Sequence, residues 1–467
     1  MDDQKYRKAH DSLGEVRVPA DALWGAQTQR AIENFDIAGE PMPAPFIHAL
    51  GLVKWAAAVA NGRLGELDPP VADAVAAAAL EVAEGRYDAQ FPVDLFQTGS
   101  GTSSNMNANE VIARLAVQRL GRAVHPNDDV NRGQSSNDTV PTAIHVAARL
   151  QLHRRVLPAL EGLASAIEDA ATRAGEQLKT GRTHLMDALP MYLASEFGAW
   201  RSQLHDAAAR LRDSDARLRR LAQGGTAIGS GLNAHPAFGE QVAALLGERT
   251  GLAFETAPDR YAALAAQDTL VEFSGQLRVA AVALAKIAND LRWMNSGPLA
   301  GLGELRLPAL QPGSSIMPGK VNPVVPEAVL MATAAVHGHD TAAGIAGRSG
   351  NFQLNTMLPL LAHAVLTSER LVAGCADALA KHVFPGLRLN PGRLEAPLAH
   401  NPLLATALNP VVGYDRAVEI AGRAFREGRP VLDIAVEVTG MDRAELARLL
   451  DPAHLAGDVG RNGQSTE

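Results

Sequence analysis

The chain has 467 residues and one cysteine. Cys375 has no partner for an internal disulfide, and an iron-sulfur cluster, which needs several thiolates, is excluded. A reducing compartment fits. Aromatic residues are only 4% of the chain while alanine and leucine abound, which favours helices packed through small side chains over a sheet sandwich. No uninterrupted apolar run reaches the ~18 residues that would suggest a membrane span. The formal net charge is -8, the sequence pI is near 6.0, and no dense basic tract is visible. Nucleic acid and anionic membrane surfaces are therefore not expected partners. The opening MDDQKYRKAHDSLGE has no apolar stretch of the signal-peptide kind, so the expected location is cytoplasmic.

What remains is ordinary globular composition, with 47% hydrophobic and 20% charged residues, in a chain long enough for two or three domains. Residues 1–138 mix short helical patterns with turn-rich stretches such as IAGEPMPAP. Residues 139–394 read as long amphipathic helices, and 395–467 as a small helical domain of short segments separated by turns. The expected class is all-α, a three-domain subunit around a central bundle of long helices. Its clearest segment carries Leu270, Leu277, Leu284 and Leu291 at seven-residue intervals, with Phe273, Ala280, Ile287 and Met294 three residues after each. This is an a/d seam, and the pattern fits a core helix of one chain as well as a seam between chains.

The stretch GSSIMPGKVNP at 313–323 places glycines before a lysine, as a phosphate-binding loop does. The spacing denies that reading, because a P-loop has four residues before Gly-Lys and a Ser or Thr after it, whereas Val321 follows Lys320 here. Three further stretches share its density of small polar residues: TGSGTSSNMNANE (98–110), HPNDDVNRGQSSNDTVP (125–141) and GRTHLMDALP (181–190). Each runs toward an apolar-periodic helix. Pro141, Pro190 and Pro323 fall near expected first turns, and Asn322 resembles an N-cap. Helix N-termini offer unpaired N–H donors, so four such corners meeting in space would make a pocket for a small polyanion, with Lys320 as countercharge.

His184 sits among polar neighbours and can act as a base if a carboxylate orients it. Glu327, one turn into the helix after the 313 loop, is a partner on this reading, or else only complements the helix dipole. His125, Asp128 and Asp129 lack a second cluster of metal-ligand spacing, so no metal site is expected. No G-x-S-x-G elbow is present for hydrolase chemistry.

GSSIMPGKVNP resembles the signature of the fumarase/aspartase superfamily, and TGSGTSSNMN, HPNDDVN, SSND and GRTHL are similar to the other motifs of class II fumarases. The likeness runs from VPADALWGAQTQRA to TALNPVVGYDRA, with five separated motifs in family order. The resemblance implies reversible hydration of fumarate to L-malate without metal or organic cofactor. It also implies a homotetramer with a shared helical core, which would place the heptad seam between subunits, and active sites each built from three chains.

Carried over residue by residue, the resemblance makes Ser314 the base that takes the malate C3 proton, and His184 with Glu327 the partner acting through a water at the hydroxyl. Ser100, Gly101, Thr102, Ser135, Ser136, Asn137 and Thr183 would hold the substrate carboxylates, joined by Ser315, Lys320, Val321 and Asn322. Arg122, His125, Pro126, Asn127 and Asp128 match a second dicarboxylate site. The chemistry explains these types: a C–H beside a carboxylate loses its proton only if the aci-carboxylate is stabilised as it forms. A serine is a poor base unless N–H donors stabilise its oxyanion, and Gly313 and Gly319 would let the loop close over substrate.

Two other readings stand beside this one. Aspartate ammonia-lyase resembles the chain with Gln at the position of His184 and Ala at that of Gly319; VVPE after VNP is similar to it as much as to many fumarases, and Met186 and Gln353 stand where the family often has Gln and Glu. The other is a non-catalytic helical scaffold of the same fold.

Overall fold

The computed structural model describes residues 5–457. It opens with an antiparallel hairpin, β1 (Tyr6–Asp11) and β2 (Gly14–Pro19), followed by α1 (Ala26–Asn34), α2 (Ala44–Arg63), α3 (Pro69–Ala83) and α4 (Thr102–Leu120). Next come α5 (Ser136–Gln151), a wide turn of helix at Leu152–Val156, and α6 (Leu157–Ala174). A second hairpin, β3 (Leu178–Thr183) and β4 (Met186–Tyr192), leads into α7 (Leu193–Leu218). The remaining long elements are α8 (Phe238–Thr250), the short α9 (Arg260–Ala265), α10 (Asp268–Met294), α11 (Val324–Gly347) and α12 (Leu358–His382). Strands among the described residues occur only as two-stranded pairs, so the helical class read from composition holds.

Local chemistry accounts for these helices. In α3, Pro69 opens the first turn, where its missing N–H costs nothing, and AVAAAALEVA continues with strong helix formers. Small side chains let α2 and α3 approach closely. A Cβ at Gly51 of α2 would lie 2.6 Å from the Ala83 nitrogen, so only glycine fits. In α10, Leu270, Phe273, Leu277, Ala280, Leu284, Ile287 and Leu291 are fully buried and Met294 nearly so.

That burial corrects the expectation that the heptad seam joins subunits. The seam is buried inside one chain, and what α10 exposes is the opposite side, with Val282 53% and Trp293 49% exposed. Period alone does not distinguish the two, because a helix of the same chain and one of a second chain present the same kind of partner surface. In α11 the exposed apolar residues are Met331 and Ile345, with Ala334, Ala335 and Gly338 exposed between them.

The described chain divides into two compact units. One contains the chain through Pro158, Ala208–Ala281 and Thr333–Ala373; the other contains Ala159–Ala207, Val282–Ala332 and the chain from Gly374. Within the second, residues 404–450 close on a core of their own, with Leu404, Leu408, Ile420, Val431, Ile434 and Leu446 buried together.

Candidate active site

In the first unit, two of the polar stretches come together. Gly101 caps α4 in a left-handed conformation (φ 72°), and a Cβ there would meet Val140 at 2.8 Å. A side chain at Gly99 would strike the Thr356 carbonyl oxygen. Glycines at both places bring Ser100 and Thr102 to the mouth of the helix, their hydroxyls 2.7 Å apart. Ser135 caps α5: its Oγ accepts from the Asn137 N–H at 3.2 Å, while Asp138 accepts from the Ser135 N–H at 2.9 Å.

An open cavity of about 470 Å³ lies against these caps, lined by Thr102, Asn131, Gln134, Ser135, Ser136, Asn137, Thr226, Leu232 and Asn233 among others. The sequence reading missed the stretch from Gln223 to Asn233. It reads QGGTAIGSGLN, with the same density of Gly, Ser, Thr and Asn as the stretches that were singled out. Asp138 holds it in place, accepting from the backbone N–H of Gly224 at 3.0 Å and of Thr226 at 2.9 Å. Burial pushes the Asp138 carboxyl up to about 6, although these N–H groups and Lys54 work in the opposite direction.

Lys54 was missed as well. It is fully buried in α2, and its Nζ donates to Asn131 Oδ1 at 2.9 Å and Gln134 Oε1 at 3.0 Å. Burial lowers its ammonium to about 7, with Asp138 acting to raise it.

Arg122, His125, Pro126, Asn127 and Asp128 lie just after α4. Arg122 is ion-paired with Asp68, His125 Nδ1 accepts from the Asp128 N–H at 3.1 Å, and the Asp129 carboxylate takes the His125 N–H at 2.7 Å. His125, Asn127 and Asp128 are exposed.

The other predicted residues fall in the second unit, and here the expectation of helix N-termini needs correction. GRTHLMDALP forms a β-hairpin, with Thr183 paired to Met186, and Pro190 lies in β4 opposite Thr180. His184 (φ 56°) and Leu185 (φ 62°) make the two-residue turn, both left-handed and both exposed. That conformation is uncommon outside glycine, more so for leucine than for histidine. Strand β3 of the hairpin is anchored by buried Glu304, which takes ion pairs from Lys179 at 3.3 Å and Arg182 at 2.7 Å. Pro141 likewise lies inside α5, past its first turn.

On the 313 loop, Asn322 does not cap α11. Its Nδ2 donates to the Gly313 carbonyl at 2.9 Å, and the Pro323 carbonyl accepts the first helical N–H, that of Glu327. The Gly313 N–H donates to Lys320 O at 2.9 Å, which ties the loop's ends together. Ser314 Oγ accepts from the N–H groups of Ile316 at 3.3 Å and Met317 at 3.1 Å. Ser315, Lys320 and Val321 are exposed, and Gly319 is left-handed (φ 80°). Among the described residues, no hydrogen bond or ion pair joins His184 to Glu327 within the chain.

The first unit thus carries a cavity of helix caps and hydroxyls, and the second a serine oxygen that accepts from two amides. Comparison with known proteins identifies the family. A family model described as "Lyase" matches residues 14–338, and one described as "Fumarase C C-terminus" matches 404–457. A class II fumarate hydratase of Xylella fastidiosa is 59% identical over 451 residues, covering 97% of this chain and 95% of its own.

The chain belongs to the class II fumarase family.

A second class II fumarase, from Pseudomonas aeruginosa, is 54% identical over 96% of this chain and 98% of its own. The crystal structure of a class II fumarase from Schistosoma mansoni superposes with a TM-score of 0.94 at 34% identity, covering 97% of this chain and 99% of that one. The class II fumarase likeness therefore extends through both units and the C-terminal core.

Proposed function

We propose that this protein is a fumarate hydratase, interconverting fumarate and L-malate. The observation that carries the reading is the Ser314 hydroxyl held by the Ile316 and Met317 N–H groups, in a chain 59% identical to a fumarate hydratase. Two amides aimed at one serine oxygen favour its anionic form, which is the condition for serine to act as a base.

In the dehydration direction, from malate to fumarate, Ser314 Oγ takes the C3 proton, and the electron pair moves into the adjacent carboxylate to give the aci-carboxylate. Lys320 and Asn322 stabilise that charge. The pair then returns to form the double bond as the C2 hydroxyl leaves, protonated through a water by His184, with Glu327 orienting the imidazole. Ser100, Gly101, Thr102, Ser135, Ser136, Asn137 and Thr183 hold the carboxylates, with Ser315 and Val321 beside Lys320. Arg122, His125, Pro126, Asn127 and Asp128 belong to a second dicarboxylate site.

The reading includes a homotetramer with sites shared between chains. Two observations support it: His184 and Glu327 are not joined within one chain, and α11 exposes Met331 and Ile345 around a run of small residues. It also includes the division at 1–138, 139–394 and 395–467, which the separate core at 404–450 supports, and a cytoplasmic location. No helix of the described chain is long and apolar enough to cross a membrane.

The test is the ultraviolet absorbance of fumarate formed from L-malate and, separately, from L-aspartate, with excess EDTA present. Fumarate from malate alone is the expected result, and Ser314→Ala should lower kcat by about 10²-fold or more. Fumarate from aspartate alone would replace this reading with an ammonia-lyase.

A further inference from the structure

Ser136 lines the 470 Å³ cavity, and whether its hydroxyl donates to a substrate carboxylate depends on where its own oxygen is already engaged. The hydrogen bonds behind it answer that. As an ammonium Lys54 has donors and no acceptor, so the Asn131 atom facing its Nζ at 2.9 Å is the carbonyl oxygen. The Asn131 amide nitrogen is turned the other way, to the Gln134 carbonyl at 3.1 Å. Asn131 Oδ1 therefore also faces Asn105, and Asn105 must present its nitrogen there, at 3.2 Å. The second hydrogen of that same nitrogen reaches Ser136 Oγ at 3.0 Å. Lys54 and Asn105 are both fully buried.

We propose that Lys54, through Asn131 and Asn105, fixes the Ser136 hydroxyl as a hydrogen-bond donor into the cavity. Ser136 Oγ is occupied as an acceptor, and its hydrogen is left for an anionic oxygen. Lys54 and Asn105 are positioning residues: neither lines the cavity, and each acts through the next. A lysine does this more securely than an amide or a hydroxyl, because a donor-only group has one polarity and transmits it along the chain. The inference rests on the reading of this cavity as the carboxylate-binding corner of a fumarate hydratase.

The experiment is a pair of double-mutant cycles on the full-length enzyme. Asn105→Leu keeps nearly the same shape and removes the donor to Ser136; Lys54→Met keeps the stem and removes the ammonium. Each is measured alone and with Ser136→Ala, by KM and kcat for L-malate and by the inhibition constant of succinate. In the otherwise unaltered enzyme, KM and the succinate constant should rise about three- to tenfold with kcat nearly constant, the effect of one misdirected hydrogen bond. Combined with Ser136→Ala, neither substitution should raise them further. Factors that multiply in the double variants, or single variants with unchanged KM and succinate constant, would overturn the proposal and leave the functional reading standing. A Ser136→Ala enzyme that binds succinate as well as the parent would overturn the reading of the cavity itself. If Lys54→Met does not fold, the Asn105→Leu cycle decides alone, since it leaves the lysine in place.

Discussion

The Asp138 carboxylate accepts the Thr226 N–H at 2.9 Å across 88 residues of sequence, with both residues buried. The same carboxylate caps its own helix through Ser135, so one side chain joins two walls of the cavity. Asp138→Asn keeps one acceptor but turns an amide donor toward backbone donors. The expected outcome is a loss of about 2–4 kcal/mol in chemical denaturation, with a higher KM for malate because Thr226 and Asn233 lose their support.

Glu369 is fully buried in α12, with one distant donor, Gln151 Nε2 at 3.5 Å, on Oε2 and none on Oε1. Burial first, and the nearby Asp215 charge second, raise its carboxyl well above the ordinary 4.5. The folded chain keeps a proton there that the unfolded chain releases. Stability from this group is therefore full at low pH and falls as pH rises from about 4.5 toward the folded value, at up to about 1.4 kcal/mol per pH unit. Glu369→Gln removes that slope. Its stability relative to the parent should rise with pH above about 4.5 in urea titrations; a constant difference would contradict it.

Seam and surface should respond differently. Leu277→Ala in the buried row of α10 should cost about 2–5 kcal/mol of subunit stability. On the proposed tetramer, Ala335→Glu on the exposed face of α11 should leave the helical circular dichroism intact and shift the sedimentation coefficient toward smaller species, with activity lost in parallel. A tetramer that survives Ala335→Glu would move the interface elsewhere.

A Cβ at Gly313 would lie 2.5 Å from the Lys320 carbonyl oxygen, which the Gly313 N–H also contacts. Gly313→Ala should open the loop that presents Ser314. We expect kcat to fall at least about tenfold while the melting temperature stays nearly constant, because the loop is largely exposed and its misplacement affects positioning more than packing.

The polar stretches of this candidate site were legible in order along the chain. TGSGTSSN, SSND and GSSIMPGKVNP are short, local and built of residues with few other reasons to cluster. Caps and tight loops are determined within a few residues, so the polar stretch at Ser135 and the glycines around Ser314 could be singled out before any fold was known, although the helix start was placed near Pro141 and lies at Ser136. The GRTHL stretch was misread for the converse reason. Its turn has histidine and leucine where Asn-Gly would announce a hairpin, and the strand that leads into it is anchored by Glu304, more than 100 residues away.

The sequence by itself determined the helical class, the family and the buried row of α10, because periodicity and local turn chemistry depend on near neighbours. Only the tertiary structure decided which surface that row meets, that Lys54 in the apolar run VKWAAAVA turns inward, and that Gln223–Asn233 completes the cavity. A lone lysine on a helix ordinarily keeps its charge in water. Here Asn131 and Gln134, 77 and 80 residues on, supply the acceptors that let it stay inside.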